Sequence, residues 1–242
     1  MGPPETFTTN TTQKGLLELA SHEFFHTWNV KNIRPSEYLP YDFGHLVASP
    51  LHYVTEGITT YYGDLMIWKS GVWSLPEWLS SINSELHRFY SRPARLFTSL
   101  RQASLDSAVN GYQEKGVPNR RISFYNKGYL VAMLLDDIIR QESNETHSLD
   151  DVMRSMYTQF GKKGIGYTEE DFWGIVHTFS GSSLEDFILD YIYGVTDLRP
   201  ALEAFGKRVG FSLEPLPYQD RLIRKLGVIT ERSGIHARIS FV

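Results

Sequence analysis

The sequence predicts a mainly α-helical protein with a short β segment at its C-terminal end, and three observations support this. Helix-capping side chains recur along the chain up to Gly210, each followed by apolar residues at helical spacing. Glycines follow several of these stretches, as is common at helix ends. Alternation typical of strands occurs only after Pro217, in residues 226–230 and 236–242.

The first predicted helix contains the most informative motif of the chain. Thr11 or Thr12 can cap this helix, whose apolar residues run to Trp28 and which stops before Pro35. Residues 22–26 read His-Glu-Phe-Phe-His and fit the pattern H-E-x-x-H. Since four residues make about one helical turn, His22 and His26 leave the same side of the helix and can bind one cation.

Glu23 directly follows the first histidine and is expected to project beside that cation. A carboxylate in this position can accept a proton from a metal-bound water. A helix whose two histidines merely lie at a packed boundary would show the same pattern. The five residues alone therefore leave both interpretations open.

The second predicted helix runs from Ser49 as cap, with Pro50 at its first position, to Gly71. A catalytic zinc site needs three protein ligands, and Glu56 in the middle of this helix is our choice for the third. A cation would offset the cost of burying this carboxylate among apolar neighbours. Gly57 is expected to let the second helix approach the first closely. The alternative is an exposed glutamate on a solvated face.

Other polar residues near Glu56 have weaker claims. His52, one turn earlier, is a competing ligand, although a surface or hydrogen-bonded histidine explains it as well. Thr60 and Asp64, one and two turns later, are candidates for orienting a ligand imidazole. The remaining histidines lack ligand spacing and are interpreted as structural: His45, His87, His147, His177 and His236.

The rest of the chain up to Gly210 predicts further helices. An apolar helix at residues 122–140 is expected to be central. Four more helix starts have the spacing of a capping box. They are Ser74 with Glu77, Ser148 with Asp151, Thr168 with Asp171, and Ser183 with Asp186.

Composition limits the classes of partner and site. The chain has 242 residues, with 24 basic and 28 acidic side chains and no block of like charge. Nucleic acid and anionic membranes are therefore poor candidate partners. Without cysteine, any zinc site must use histidine and carboxylate ligands. The N-terminus has no apolar run as long as that of a signal peptide, and no apolar segment is long enough to span a membrane. We therefore expect a soluble protein, and the sequence leaves its compartment and oligomeric state open.

Three segments, HEFFHTWNVKNIRP, TEGITTYYGDL and ISFYNKGYLVA, resemble the glycyl aminopeptidase family of zinc metallopeptidases. These enzymes are gluzincins, and the resemblance over residues 16–210 implies a thermolysin-like helical catalytic domain. It aligns His22 and His26 with the two zinc histidines, Glu23 with the catalytic glutamate and Glu56 with the glutamate ligand. Tyr125 falls where related aminopeptidases have a tyrosine that stabilises the oxyanion.

The resemblance also implies a division of the chain. We expect residues 1–214 to form the zinc metallopeptidase catalytic domain, without the β part that precedes it in the family. Residues 215–242 would be a linker and the start of a truncated PDZ-like module. The sequence also departs from the family pattern. In the family, a Gly-rich, Glu-containing segment before the zinc helix binds the substrate α-amine, and residues 1–21 contain no counterpart of it. Asn32 stands in place of a basic residue and Ala108 in place of a tryptophan.

Three functions fit these residues. The resemblance implies a Zn²⁺-dependent aminopeptidase that acts on peptide substrates with small N-terminal residues, glycine or alanine. An endopeptidase of the same clan is the second interpretation. A peptide-binding module on the same fold without turnover is the third.

Overall fold

Helices dominate the part of the chain that the computed structural model describes, which comprises residues 10–42, 44–110, 121–181, 184–214, 228–233 and 236–241. The predicted fold class is therefore confirmed. In chain order the elements are α1 (Asn10–Phe25), a π-helical turn (Tyr53–Gly57), α2 (Ile58–Lys69), α3 (Leu75–Tyr90), α4 (Leu100–Asn110), α5 (Phe124–Glu142), α6 (Leu149–Gln159), α7 (Glu169–Ser180), α8 (Glu185–Phe187), a second π-helical segment (Ile188–Tyr193) and α9 (Arg199–Val209). Short 3-10 turns lie at Ser36–Tyr38, Pro93–Leu96 and Gly161–Lys163.

Three of the predicted capping boxes begin helices. In each, the backbone N–H of the cap residue donates to the carboxylate three residues later, which stabilises the helix start by about 1 kcal/mol. The pairs are Ser74 with Glu77, Ser148 with Asp151, and Thr168 with Asp171. Ser183 lies outside the described residues. Helix α5 begins two residues after the predicted start and is capped by Ser123, whose hydroxyl accepts from the backbone N–H of Asn126.

Helix α5 is the central helix, as its apolar sequence predicts. Residues 129–135 are all buried, and the helix contacts α2, α3, α4, α6, α7 and α9. Fully burying one of its leucine, valine or methionine side chains contributes roughly 1.5–3 kcal/mol. The tight packing of α5 fixes the residues at its N-terminal end, which include Tyr125. None of the helices in the described part of the chain is both long and apolar enough to cross a membrane.

The first two predicted helices differ from the structure at their ends. Helix α1 ends at Phe25, so the prediction that it runs through Trp28 is wrong. The chain turns there because the N–H of Lys31 donates to the carbonyl of His26 and Val30 adopts a positive φ of 148°. The second predicted helix exists but begins with the π-helical turn before α2.

Two glycine contacts bring the helices of the site together. A Cβ on Gly57 would lie 2.6 Å from the Cα of Gly128, so the π-helical turn crosses α5 backbone to backbone. A Cβ on Gly63 would lie 3.3 Å from the Cα of His22. The prediction that Gly57 allows the approach to the first helix is therefore wrong, because Gly57 faces α5 and Gly63 faces α1.

The C-terminal segment forms a β-hairpin. Strands β1 (Val228–Ser233) and β2 (His236–Phe241) pair antiparallel, with Val228 opposite Phe241 and Ser233 opposite His236. The predicted short β segment is thus present, although residues 226, 227 and 242 lie outside the described residues. The division of the chain at residue 214 stays a prediction.

Candidate metal centre

Two imidazoles and one carboxylate converge between α1 and the π-helical turn. The Nε2 atoms of His22 and His26 each lie 3.2 Å from Oε2 of Glu56. The two rings meet edge to face with their centroids 4.6 Å apart. All three side chains are at most 16% exposed. The structure therefore brings the three predicted metal ligands to one point.

The ring nitrogens that face away from Glu56 are held by oxygen atoms. His26 Nδ1 lies 2.7 Å from the backbone carbonyl of Asn29, which can only accept a hydrogen bond. His22 Nδ1 lies 3.4 Å from Oγ1 of Thr60, and this hydroxyl donates to the carbonyl of Glu56 at 2.7 Å. These oxygens favour a proton on Nδ1 of each ring, so Nε2 is the atom that would bind a cation in place of its own proton. Thr60 has the orienting position predicted from the sequence.

The charge of Glu56 is set by its two histidine neighbours. Burial alone would raise the pKa of the carboxyl, but the hydrogen bonds and charges of His22 and His26 lower it to about 2. Burial tends to lower the pKa of His26, and Glu56 with the Asn29 carbonyl outweighs that and raises it. The carboxylate is therefore ionised at neutral pH. Two imidazole nitrogens and one anionic oxygen at this separation fit a divalent zinc ion.

Glu23 is a second carboxylate beside the histidines, with different surroundings. One of its oxygens lies within 4.8 Å of donor atoms of both His22 and His26. Unlike Glu56, the residue is exposed. Direct contact with both Nε2 atoms favours Glu56 as the ligand, whereas Glu23 is accessible to water and substrate.

Tyr125 lies in the first turn of α5, beside the histidines. Its ring centroid is 6.0 Å from that of His22, and its ring stacks on Phe124 at 4.8 Å. The crossing of Gly57 and Gly128 brings this turn of α5 next to Glu56. Among fourteen tyrosines, only the family resemblance distinguished this one in the sequence.

The other two candidates near Glu56 have partners elsewhere. His52 Nε2 lies 2.8 Å from the hydroxyl of Tyr38, and its Nδ1 lies 3.0 Å from the carbonyl of Ser104. His52 is thus a hydrogen-bonded histidine, which was one of the two interpretations of the sequence. Asp64 accepts a hydrogen bond from Ser81 in α3.

Asn29 was missed by the sequence analysis. It is fully buried, and its Nδ2 donates to the carbonyl of Val54 at 2.8 Å, within the π-helical turn. Its backbone carbonyl is also the partner of His26 Nδ1. The only signal in the sequence was an amide residue three positions after the second histidine.

A second group of acidic side chains lies farther along the same helices. Glu18 precedes His22 by one turn in α1, Asp64 is in α2, and Glu85 is in α3. Burial raises the pKa of Asp64 to about 7; the hydrogen bond from Ser81 opposes this shift, and the charges of Glu18 and Glu85 add to it. Burial also raises the pKa of Glu18. Burial thus favours the protonated forms of Asp64 and Glu18.

Comparisons with known proteins agree with the sequence resemblance. Residues 15–131 match a family model described as M61 glycyl aminopeptidase. Among solved structures, the chain is similar to an aminopeptidase N family protein from Idiomarina loihiensis, with a TM-score of 0.76 and 28% sequence identity. That match covers 82% of this chain and 34% of the other, so this chain spans about a third of the length of that protein. No curated protein matches the chain.

Proposed function

We propose that this chain, whose residues 15–131 match a family model described as M61 glycyl aminopeptidase, hydrolyses peptide bonds in a zinc-dependent reaction. The observation that supports this most directly is the contact of His22 Nε2 and His26 Nε2 with one oxygen of Glu56, each at 3.2 Å. These three atoms would hold the metal. A bound zinc ion supplies Lewis-acid activation of a water molecule and of the substrate carbonyl.

Glu23 is the general base in this proposal. Its carboxylate is exposed and lies within 4.8 Å of donor atoms of both histidines, so it can reach a water molecule at the same point. It accepts the proton of the attacking water and delivers it to the departing amine. Proton transfer by a positioned side chain typically contributes about 100- to 10,000-fold to the rate.

Tyr125 is the hydrogen-bond donor for the oxygen that gains negative charge. The hydroxyl is carried by a rigid helix, because the N-terminal turn of α5 packs on the π-helical turn through Gly128 and Gly57. A donor that is fixed before the reaction stabilises the developing charge without reorganising. Such a donor typically contributes about 3 kcal/mol to transition-state stabilisation.

The proposed substrate is a peptide with a free N-terminus and a small first residue, glycine or alanine. The family match and the similarity to an aminopeptidase N family protein both support an aminopeptidase. An endopeptidase of the same clan would use the same three ligands and the same base. The two activities differ in whether the enzyme needs the free amine.

The test replaces Glu23 by Gln. We expect wild-type protein to contain about one zinc ion per chain by elemental analysis. Glu23→Gln should retain this zinc, because the three ligands are unchanged, while hydrolysis of an alanyl peptide falls by about 100- to 10,000-fold. Glu142→Gln is the matched control, since it removes the same charge from an exposed glutamate at the end of α5.

Zinc-free wild-type protein, or a Glu23→Gln variant with wild-type turnover, would contradict the proposal. The same assay is run with free and N-acetylated alanyl peptides. Cleavage of the free peptide alone identifies an aminopeptidase, and equal cleavage of both identifies an endopeptidase.

A further inference from the structure

The turn that follows α1 buries a polar side chain against the π-helical turn. The N–H of Lys31 donates to the carbonyl of His26 at 3.1 Å, and the N–H of Ile33 donates to the carbonyl of Trp28 at 2.8 Å. Val30 has a φ of 148°, a conformation that a β-branched residue rarely adopts. This strained turn directs Asn29 inward, where the residue is 0% exposed.

The amide of Asn29 donates to the segment that bears Glu56. Its Nδ2 lies 2.8 Å from the carbonyl of Val54 and 3.1 Å from Oγ1 of Thr59. Thr59 in turn donates to the carbonyl of Thr55 at 2.6 Å. A π-helical turn widens the hydrogen-bonding ladder of a helix, and side-chain donors of this kind hold its backbone in place. Asn29 and Thr59 thus fix the two residues that precede Glu56.

The backbone of the same residue holds the second histidine. The carbonyl of Asn29 accepts from Nδ1 of His26 at 2.7 Å and fixes the orientation of its ring. The Oδ1 atom of Asn29 is buried and finds no donor among the described residues. An unpaired buried oxygen destabilises a fold, so any stabilisation by this amide comes from the hydrogen bonds that its Nδ2 donates.

We infer that Asn29 is a positioning residue that joins His26 to the π-helical turn and sets their separation for metal binding. This inference rests on the proposed zinc site. Asn29 touches no reacting atom, so it acts through His26 and Glu56. Without its amide, the Glu56 turn and the His26 loop can shift relative to each other, and zinc affinity falls.

The test measures zinc affinity of Asn29→Leu by competition with a chelator, beside the unfolding stability of the metal-free protein. Leucine keeps the branching at Cγ, is somewhat larger, and removes both N–H donors of the amide. We expect zinc binding to weaken by about 10- to 100-fold, which is typical when a group that orients a ligand is lost. The visible spectrum of the Co²⁺-substituted protein should also change, because it reports the geometry of the ligands.

Tyr61→Phe is the matched control. It removes another buried hydrogen bond of α2, from the hydroxyl of Tyr61 to Asp136 at 2.9 Å, and Asp136 is not a predicted ligand. Its zinc affinity should equal that of the wild type even if its stability falls. Equal weakening of zinc binding in both variants would overturn the inference, because the effect would then follow general stability.

Thr59→Val decides the matter if Asn29→Leu does not fold. This isosteric change removes one partner of the amide and the donor to Thr55, and zinc binding should weaken by a smaller factor than in Asn29→Leu. Unchanged zinc affinity in whichever variants fold overturns the role of Asn29 alone. A wild-type protein that binds no zinc overturns the proposed metal site instead.

Discussion

Glu56 and Asp64 are two largely buried carboxyl groups two helical turns apart, and their pKa values move in opposite directions. The pKa of Glu56 is lowered to about 2 and that of Asp64 is raised to about 7. Burial acts in the same direction on both. The difference comes from the neighbours, which are two histidines at Glu56, but one hydroxyl, two further acids and, with a smaller opposing effect, Lys14 at Asp64.

The comparison shows what distinguishes a predicted metal ligand from an ordinary buried acid. Glu56 is an ionised acceptor whose partners can also bind a cation. Near Asp64, the carboxylate of Glu85 already accepts a hydrogen bond from the amide of Asn126 and forms an ion pair with Arg88 at 3.0 Å. Burial alone therefore does not identify a ligand. The identity of the partners does, and it predicts different responses to substitution.

The largest difference is expected in zinc binding. Glu56→Gln removes the anionic oxygen that contacts both histidines, and zinc affinity should fall by more than about 100-fold, beyond the effect of losing an orienting group. Asp64→Asn is the matched control, because it makes the equivalent acid-to-amide change in α2, which continues the π-helical turn of Glu56, at a side chain that is hydrogen-bonded to Ser81 and not to the histidines. Both affinities are measured by chelator competition. Equal losses in the two variants would remove the distinction between the two sites.

The next difference is expected in the pH dependence of stability of the metal-free protein. An acid whose folded pKa is raised stabilises the fold in its protonated form. For Asp64 this stability is present below the ordinary value of 3.8 and is lost as pH rises through about 7. The loss has a slope of at most about 1.4 kcal/mol per pH unit.

Asp64→Asn should remove this slope in urea unfolding experiments. The raised pKa of His26 gives a loss in the same direction, but it is shared by wild type and variant and cancels in their difference. A wild-type slope that persists unchanged in Asp64→Asn would show that Asp64 titrates normally. The contrast with Glu56 would then disappear.

The smallest effect is expected at Ser81. Its hydroxyl donates to Asp64 and opposes the rise in the pKa of that carboxyl. Ser81→Ala should raise the pKa of Asp64 further and destabilise the protein by about 1 kcal/mol. Ser84→Ala, on the exposed side of α3, removes a hydroxyl that donates only to its own helix and serves as the control. If the titration of Asp64 by NMR is the same in both variants, Ser81 does not set its pKa.

Local signals in the sequence predicted the helices and the members of the candidate site. The capping pair of Ser148 and Asp151 needs only neighbouring residues, and so does the one-turn spacing of His22 and His26. Glu56 could be chosen because a third ligand was needed. Tyr125 required the family resemblance, since a tyrosine at the start of an apolar helix is common.

Features that depend on distant partners could not be predicted. Helix α1 ends at Phe25 because the following turn buries Asn29 against Val54, which lies 25 residues later in the chain. The π-helical turn around Glu56 has no signature in its five residues. Gly57 gave a correct signal of close approach, but the sequence did not identify Gly128 as its partner.

The crossing of Gly57 and Gly128 links the positions of two candidate site residues to the distance between two helices. Where two backbones meet with only hydrogen atoms between them, neither helix can be moved without moving the other. The positions of Tyr125 and Glu56 are thus adjusted together. A substitution that widened the gap between these two helices would therefore displace both residues at once.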